Sequence, residues 1–262
     1  NPLMMAVKAA QVTKHVRLGT AVIVLPFWNP LRLAEEIAMA DVLTEGRLDV
    51  GVARGYQKYE FDRLGLDIND SRSLSDETLD ILIEALNTDS FSHQGQHYSF
   101  PETTIYPRSV QQPHPPIWLA AATKESIENA VHRGLNCFTS SSTRPINVVQ
   151  AAWDAYSAAT LSADSAQKPL EFAVQQHVHV AETDAEAAAR MDASIWHYRI
   201  SNRLRSATER VERGVAFADP IDGEPTSEDL FATHTVAGNP ATVCAKLQAY
   251  VDTVGMTQLN CI

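Results

Sequence analysis

Short apolar runs alternate with amphipathic stretches along most of the chain. Val16–Leu25 (VRLGTAVIVL) is β-rich and nearly uncharged, and reads as one strand. Asn29 before Pro30 predicts a helix start, a side-chain cap with proline at the first helical position. That helix runs to about Leu43, with Leu33, Ile37 and Ala40 on one side, and Gly46 ends it. Leu48–Ala53 (LDVGVA) predicts a second buried strand, running into Arg54-Gly55. A loop is expected to about Asp70. A helix over Ser71–Leu86 then carries Leu74, Ile81, Leu82 and Ala85 at helical spacing. Phe91–Ile105 is aromatic and turn-rich and predicts an excursion with a small hairpin. Beyond the prolines from Pro113 to Pro116, Ile117–Ala121 (IWLAA) predicts a third strand. Thr123 can cap a helix reaching Arg133, and Gly134 stops it.

The second half continues the cadence. Asn136–Ser140 predicts a short strand, Pro145–Thr160 a helix, Ser162–Pro169 a polar connector and Leu170–Ala181 a fifth strand. Thr183 with Glu186 has the spacing of a capping box. Glu209–Phe231 is polar and weakly periodic and reads as an insertion or loop. Pro240–Val254 predicts a helix with Val243, Leu247, Tyr250, Val251 and Val254 on one face, and Gln258–Ile262 starts a last strand. Strands alternating with helices in this way predict parallel βαβ units. The strands are apolar on both parities, as expected when both faces are buried. A Rossmann-type sheet and an incomplete barrel both fit this pattern. No GxGxxG follows any strand, which weighs against dinucleotide binding.

Composition narrows the classes. The 262 residues, 45% of them hydrophobic, suffice for one large core. A single domain over residues 1–262 is therefore expected, with an insertion or loop at about 201–237. A formal net charge of −11 argues against nucleic acid as a partner, while leaving room for one local basic pocket. No window is long and apolar enough to predict a membrane span, and no secretory pattern is visible. Cys137, Cys244 and Cys261 are unclustered, which predicts neither a disulfide framework nor a zinc site and fits a reducing cytoplasm. His177 and His179 have the spacing of a metal pair but no evident third ligand, so no metal site is expected.

Gly19–Glu77 is similar to the bacterial-luciferase-like flavin-dependent monooxygenases. The similar pieces are GTAVIVLP, the Asn-Pro helix start, the D–GR turn into GVARG, the K–EF pair, the LGLD turn and the NDSR helix start. Gln111–Gly134 (QQPHPPIWLAAATKESIENAVHRG) matches the family's Q-P-PP strand and its helix-capping Ser/Thr cluster, and VGMTQLNCI resembles the family's final strand. The resemblance covers most of the chain and is weakest over Ser201–Ala237. It implies an α/β fold, the (β/α)8 TIM barrel. Val16–Leu25 would be its third strand and Gln258–Ile262 its eighth. The first two strands and the last helix are then expected to be absent from this sequence.

Barrel enzymes place their sites at the C-terminal ends of the strands. Arg54 sits there, directly after LDVGVA. By itself it fits a surface ion pair with Glu60 or Asp62 as well as a phosphate contact. The resemblance implies the second, an FMN phosphate. Thr123 and Ser126 open a helix after IWLAA. Capping is one role for them and anion binding another, and the resemblance implies phosphate binding. Arg72 is a further phosphate candidate, or else a solvated helix-start charge. The resemblance also implies a non-prolyl cis peptide at Ala21-Val22 beneath the flavin ring. Ala53 stands where bacterial luciferases have a reactive cysteine, which removes thiol chemistry there. Ser140 and Ser141 are expected at the isoalloxazine edge, or else in a polar loop. Phe27, Trp28, Tyr56 and Gln57 are expected to wall an apolar substrate pocket, with packing against the next helix as the alternative for Phe27 and Trp28. The departure at Tyr56 and Gln57 from the family's residues argues against light emission. Tyr98, Tyr106 and His93 fall in the excursion, which could form a lid.

The activity implied is that of a monooxygenase using reduced FMN and dioxygen on a small organic substrate, an aldehyde or another apolar compound. A separate flavin reductase would supply the cofactor, and a homo- or heterodimer is expected. The catalytic residue is left open, because the family's histidine would precede Asn1. Two other readings stand beside this one: a deazaflavin-dependent hydride-transfer enzyme of the same fold, and a non-catalytic flavin-binding partner subunit.

Overall fold

The structure is a computed structural model and describes residues 1–140, 145–162 and 169–261, the side chains of 260 and 261 excepted. Ser141 and most of the expected connector Ser162–Pro169 lie outside the described residues. The chain forms two compact units, Asn1–Ala120 and Ala121–Ile262.

The first unit opens with α1 (Pro2–Ala10), whose cap Asn1 accepts from the Leu3 and Met4 amides. Leu3, Ala6 and Ala10 form its buried stripe. The expected strand Val16–Leu25 is two short pieces instead, β1 (Leu18–Gly19) and β2 (Ile23–Val24). Both pair in parallel with β3 (Leu48–Ala53). Between them the Thr20 hydroxyl donates to the Gly51 carbonyl and accepts from the Gly51 amide, each at 2.9 Å. A side chain thus takes over the backbone ladder where the strand is interrupted. The Ala21-Val22 peptide is cis, as the resemblance implied. A 3-10 turn, Leu25–Phe27, leads to α2 (Pro30–Leu43). Asn29 caps α2 by accepting from the amides of Leu31 and Arg32, and Leu33, Ile37 and Ala40 are buried, as the pattern predicted. Gly46 closes the turn at φ 74°.

The expected loop to Asp70 contains a helix, α3 (Lys58–Leu64). Its single inward residue, Phe61, is too little to produce a readable period. Gly65 ends it in the left-handed region, φ 68°. Next come α4 (Ser71–Asn87) and an antiparallel hairpin, β4 (Phe91–Gln94) with β5 (Ser99–Thr103), as expected. The strand β6 (Ile117–Ala120) lies parallel to β3 in the register Val50 to Ile117.

The second unit carries α5 (Lys124–His132), β7 (Asn136–Ser140), α6 (Ile146–Ser162) and β8 (Phe172–Gln176). The expected strand Leu170–Ala181 breaks at His177. After the break, β9 (Val178–Val180) joins a different sheet. The cause is Gln176, which is fully buried. Its Nε2 donates to the Tyr250 hydroxyl at 2.6 Å, and its Oε1 accepts from the His177 amide at 2.7 Å. Then come α7 (Asp184–Ala188), α8 (Asp192–Ser206), the two-residue strands β10 (Val211–Glu212) and β11 (Val215–Ala216), the single turn α9 (Ser227–Asp229) and β12 (Val236–Gly238). The region expected to be an insertion or loop thus contains a small hairpin and a helical turn. The chain then forms α10 (Pro240–Thr253) and β13 (Gln258–Cys261). Val243, Tyr250 and Val254 are buried as expected, but Val251 is exposed. In this unit β8 lies between β7 and β13, all parallel, while β9 pairs in parallel with β12. Among the described residues, no helix is long and apolar enough to cross a membrane.

Candidate functional site

Arg54 follows β3 at its C-terminal end and is exposed. The two acids expected to neutralise it are engaged elsewhere. Asp62 pairs with Lys58 at 2.6 Å, an i,i+4 pair within α3. Glu60 is partly buried, which pushes its carboxyl above the ordinary range, and the nearby charge that pulls it back is Arg63. Among the described residues, no acid pairs with Arg54. Gly55 adopts φ +80°, and a Cβ there would lie 2.7 Å from Val24 Cγ1. The chain after β3 therefore turns through a position that only glycine fills, leaving the guanidinium facing solvent. A fixed cation without a counter-ion at a strand end suits one phosphate group.

Around this turn, Ala21 is exposed and Val22 partly buried. Ala53 is partly buried, Tyr56 is exposed and Gln57 partly buried. Phe27 stacks edge-to-face on Phe61 of α3 at 4.8 Å. The Trp28 carbonyl accepts from the Tyr98 hydroxyl at 3.3 Å, which brings the β4–β5 hairpin to the chain after β2. Arg72 is exposed near the start of α4.

In the second unit, Thr123 and Ser126 form a reciprocal capping box on α5. The Ser126 amide donates to Thr123 Oγ1 at 3.3 Å, and the Thr123 amide donates to Ser126 Oγ at 3.1 Å. The capping role is thus present. It commits both hydroxyls locally, so any anion at this helix start would meet mainly backbone amide groups. Ser140 ends β7 and is partly buried.

Two groupings escaped the sequence. The Glu77 carboxylate on α4 accepts from the His97 and Tyr98 amides, both at 2.8 Å, and pairs with His93 Nε2 at 3.1 Å. His97 in turn contacts the Ser73 hydroxyl at 2.9 Å. Nothing local to Glu77 in the chain signals this, because its partners come from the hairpin. The other is His177 with His197, their rings edge-to-face at 4.5 Å. Sequence spacing had paired His177 with His179 instead. Among the described residues, no cluster of three or more possible ligands could hold a metal ion.

Comparison with known proteins agrees with this architecture. The sequence profile of the luciferase-like monooxygenases matches residues 1–257. The chain is 32% identical over 230 residues to protein y4vJ of Sinorhizobium fredii, covering 88% of this chain and 64% of that one. It is 31% identical over 258 residues to the oxygenase component of the flavin-dependent trigonelline monooxygenase of Acinetobacter baylyi, covering 95% of this chain and 71% of that one. The crystal structure of monooxygenase RslO1 from Streptomyces bottropensis superposes with a TM-score of 0.82 at 26% identity, over all of this chain and 75% of that one. The fold is thus of the luciferase-like (β/α)8 TIM-barrel type, as the resemblance implied. The chain belongs to the luciferase-like monooxygenase family.

Proposed function

We propose that this protein is a flavin-dependent monooxygenase that uses reduced FMN and dioxygen to oxygenate a small organic substrate. The observation that carries the reading is Arg54, a solvent-facing guanidinium at the end of β3 that no acid among the described residues neutralises. Its role is to hold the flavin phosphate, by charge and by two parallel N–H donors. Thr123 and Ser126 shape the start of α5 as a second phosphate contact, and Arg72 is a third candidate. The backbone at Ala21-Val22 and Ala53 lies beneath the ring, and Ser140 lies at its edge. Bound reduced flavin supplies the electrons that activate dioxygen.

The chain's own residues bind, orient and exclude water. Phe27, Trp28, Tyr56 and Gln57 wall the substrate side, and the three rings among them keep water from the reacting atoms. Ala53 offers no thiol, so no cysteine adduct competes. A separate reductase delivers reduced flavin, in keeping with the Acinetobacter relative being an oxygenase component. The protein works as a homo- or heterodimer in a reducing cytoplasm.

The test is an FMN titration of the wild type and of Arg54→Ala. Loss of a charged hydrogen bond should weaken binding by about 1.5–3 kcal/mol. Equal affinity in the two proteins removes Arg54 from the site. Oxygen uptake on adding reduced FMN with candidate substrates separates this activity from hydride transfer by a deazaflavin.

A further inference from the structure

His177 sits at the break between β8 and β9, and its ring meets that of His197 on α8 edge-to-face at 4.5 Å. Both rings line a cavity of about 660 Å³, together with His179, Trp196 and Thr235. The pair thus joins the end of β8 to a helix that is lightly held. None of the 15 residues of α8 is buried. Its fastenings are polar: Arg199 to Glu224, and Arg203 to the Asp219 and Pro220 carbonyls. β9 is equally slight, three residues paired with β12 in a two-stranded sheet. The Val236 amide donates to the His177 carbonyl, and the Ala181 amide to the Gly238 carbonyl, both at 3.0 Å.

The surroundings do little to stabilise a charge on these rings. Among the described residues, no carboxylate bonds to either one, and His197 Nε2 meets the Ser201 hydroxyl at 3.1 Å. Glu186 of α7 lines the cavity, but it is exposed, and the exposed Arg190 after α7 opposes it in sign. Asp184 of α7 is engaged with the Asn239 amide and the Thr242 hydroxyl. Lys246 of α10 donates to the Thr235 and Ala237 carbonyls, so one positive charge already stands on the β12 side. Arg199, two residues along α8, is another, paired with Glu224. Burial pushes His177 down to about 4, with the charge of His197 as the second cause, and burial also lowers His197. In an opened segment an imidazole titrates near 6.5, so the closed arrangement binds fewer protons than the open one. Its stability is full above that value and is lost as the pH falls towards about 4. Charge on both touching rings adds repulsion at short range.

We infer that the His177–His197 pair is an acid-operated release for β9 and α8: charging the touching rings parts them, breaks the β9–β12 pairing and opens the cavity wall, while β7, β8 and β13 stay formed. The release is local because β8 carries no histidine, aspartate or glutamate and lies between two strands. It uses none of the residues assigned to the flavin, so it stands apart from the flavin reading.

The experiment is residue-resolved hydrogen exchange of the full chain at pH 7 and pH 5, corrected for the intrinsic rate. Protection of the Val236 and Ala181 amides should fall at least about tenfold between the two. The Thr257 amide, which donates to the Phe172 carbonyl at the start of β8, should keep its protection. In His177→Phe, which keeps a ring but cannot be charged, the fall at Val236 and Ala181 should shrink to less than about threefold, because the most depressed group is gone. Ser201→Asp sets a carboxylate beside His197 Nε2 and should also shrink the fall, by stabilising the charged ring in place. Should His177→Phe not fold, Ser201→Asp decides by the same comparison. Unchanged protection at Val236 and Ala181 in the wild type overturns the inference. So does an equal fall at Thr257, which would mean general loosening, and so does a fall of undiminished size in either variant.

Discussion

Two excursions leave the βα cadence, and they are fastened in opposite ways. The β4–β5 hairpin is held by one carboxylate. Glu77, its side chain only 11% exposed, takes two backbone amides and one imidazole. The segment around β10–β11 is held by several ion pairs: the partly buried Arg199 with Glu224, and the exposed Arg210 with Glu212 and Asp219. Arg203 adds donors to the Asp219 and Pro220 carbonyls, and the Arg210 guanidinium lies 3.7 Å from the Phe217 ring centre. A shielded anchor concentrates the stabilisation in one group, whereas solvated pairs spread it thinly over many. The first design should fail at a point and the second should degrade gradually.

The sharpest break of this contrast is Glu77→Ala. It leaves the His97 and Tyr98 amides without their acceptor, and we expect a loss of about 2–4 kcal/mol, from two to three charge-assisted hydrogen bonds with partial water replacement. Hydrogen exchange should show the loss first at the amides of residues 97 and 98. If those amides stay protected, the carboxylate is not the anchor. Gly95→Ala tests the same contact from the other side. A Cβ there runs into the Glu77 carboxylate and the His93 ring, so one of them must move. We expect about 1–3 kcal/mol of destabilisation, the usual cost of overpacking, in a thermal melt.

Acid should act on the hairpin next. Burial pushes the Glu77 carboxyl up, but the two amides and His93 outweigh it and leave its pKa below the ordinary carboxylate value. A depressed folded-state pKa contributes stability that is full above the unfolded value and is lost as pH falls through the folded one. Exchange at His97 and Tyr98 should therefore rise as the pH drops below about 4.5, the unshifted value. In Glu77→Gln the same amides should show no such step. A step of equal size in that variant would assign the acid sensitivity to another group.

The sequence made one of these two regions easier to read than the other. The hairpin was visible in its aromatic residues and turns, because pairing between neighbouring strands is local. Its anchor was not, because Glu77 is an ordinary helix position until the hairpin folds onto it. The α2 start at Asn29-Pro30 and the strand Leu48–Ala53 were read to the residue, since caps and buried strands leave local marks. The break at His177 left no such mark. Leu170–Ala181 contains no glycine or proline to mark a break, and the switch of partner from β13 to β12 is decided by Gln176 meeting Tyr250 from a distant helix. For Arg54, the chain order offered Glu60 and Asp62 as partners. Folding α3 turned Asp62 to Lys58 instead, a choice that depends on helical spacing within an element the sequence did not reveal. The cis bond at Ala21-Val22 came only from the family resemblance.

The smallest effect belongs to the solvated fastening. Arg210→Ala removes contacts to Glu212, Asp219 and the Phe217 face at once, yet both carboxylates are already largely in water. Arg199 and Arg203 continue to hold the neighbouring segment through Glu224 and the carbonyls of Asp219 and Pro220. We expect no change in the thermal midpoint beyond the spread of repeat melts, and a modest rise in exchange at the β10–β11 amides. Raising the salt to about 0.5 M should bring the wild type towards the variant, because screening shortens the reach of exposed charges. The Glu77 contacts, shielded from solvent, should not respond to the same salt. A large drop in midpoint for Arg210→Ala would mean that Phe217 and its neighbours form an apolar anchor under the guanidinium, and the two excursions would then be fastened alike.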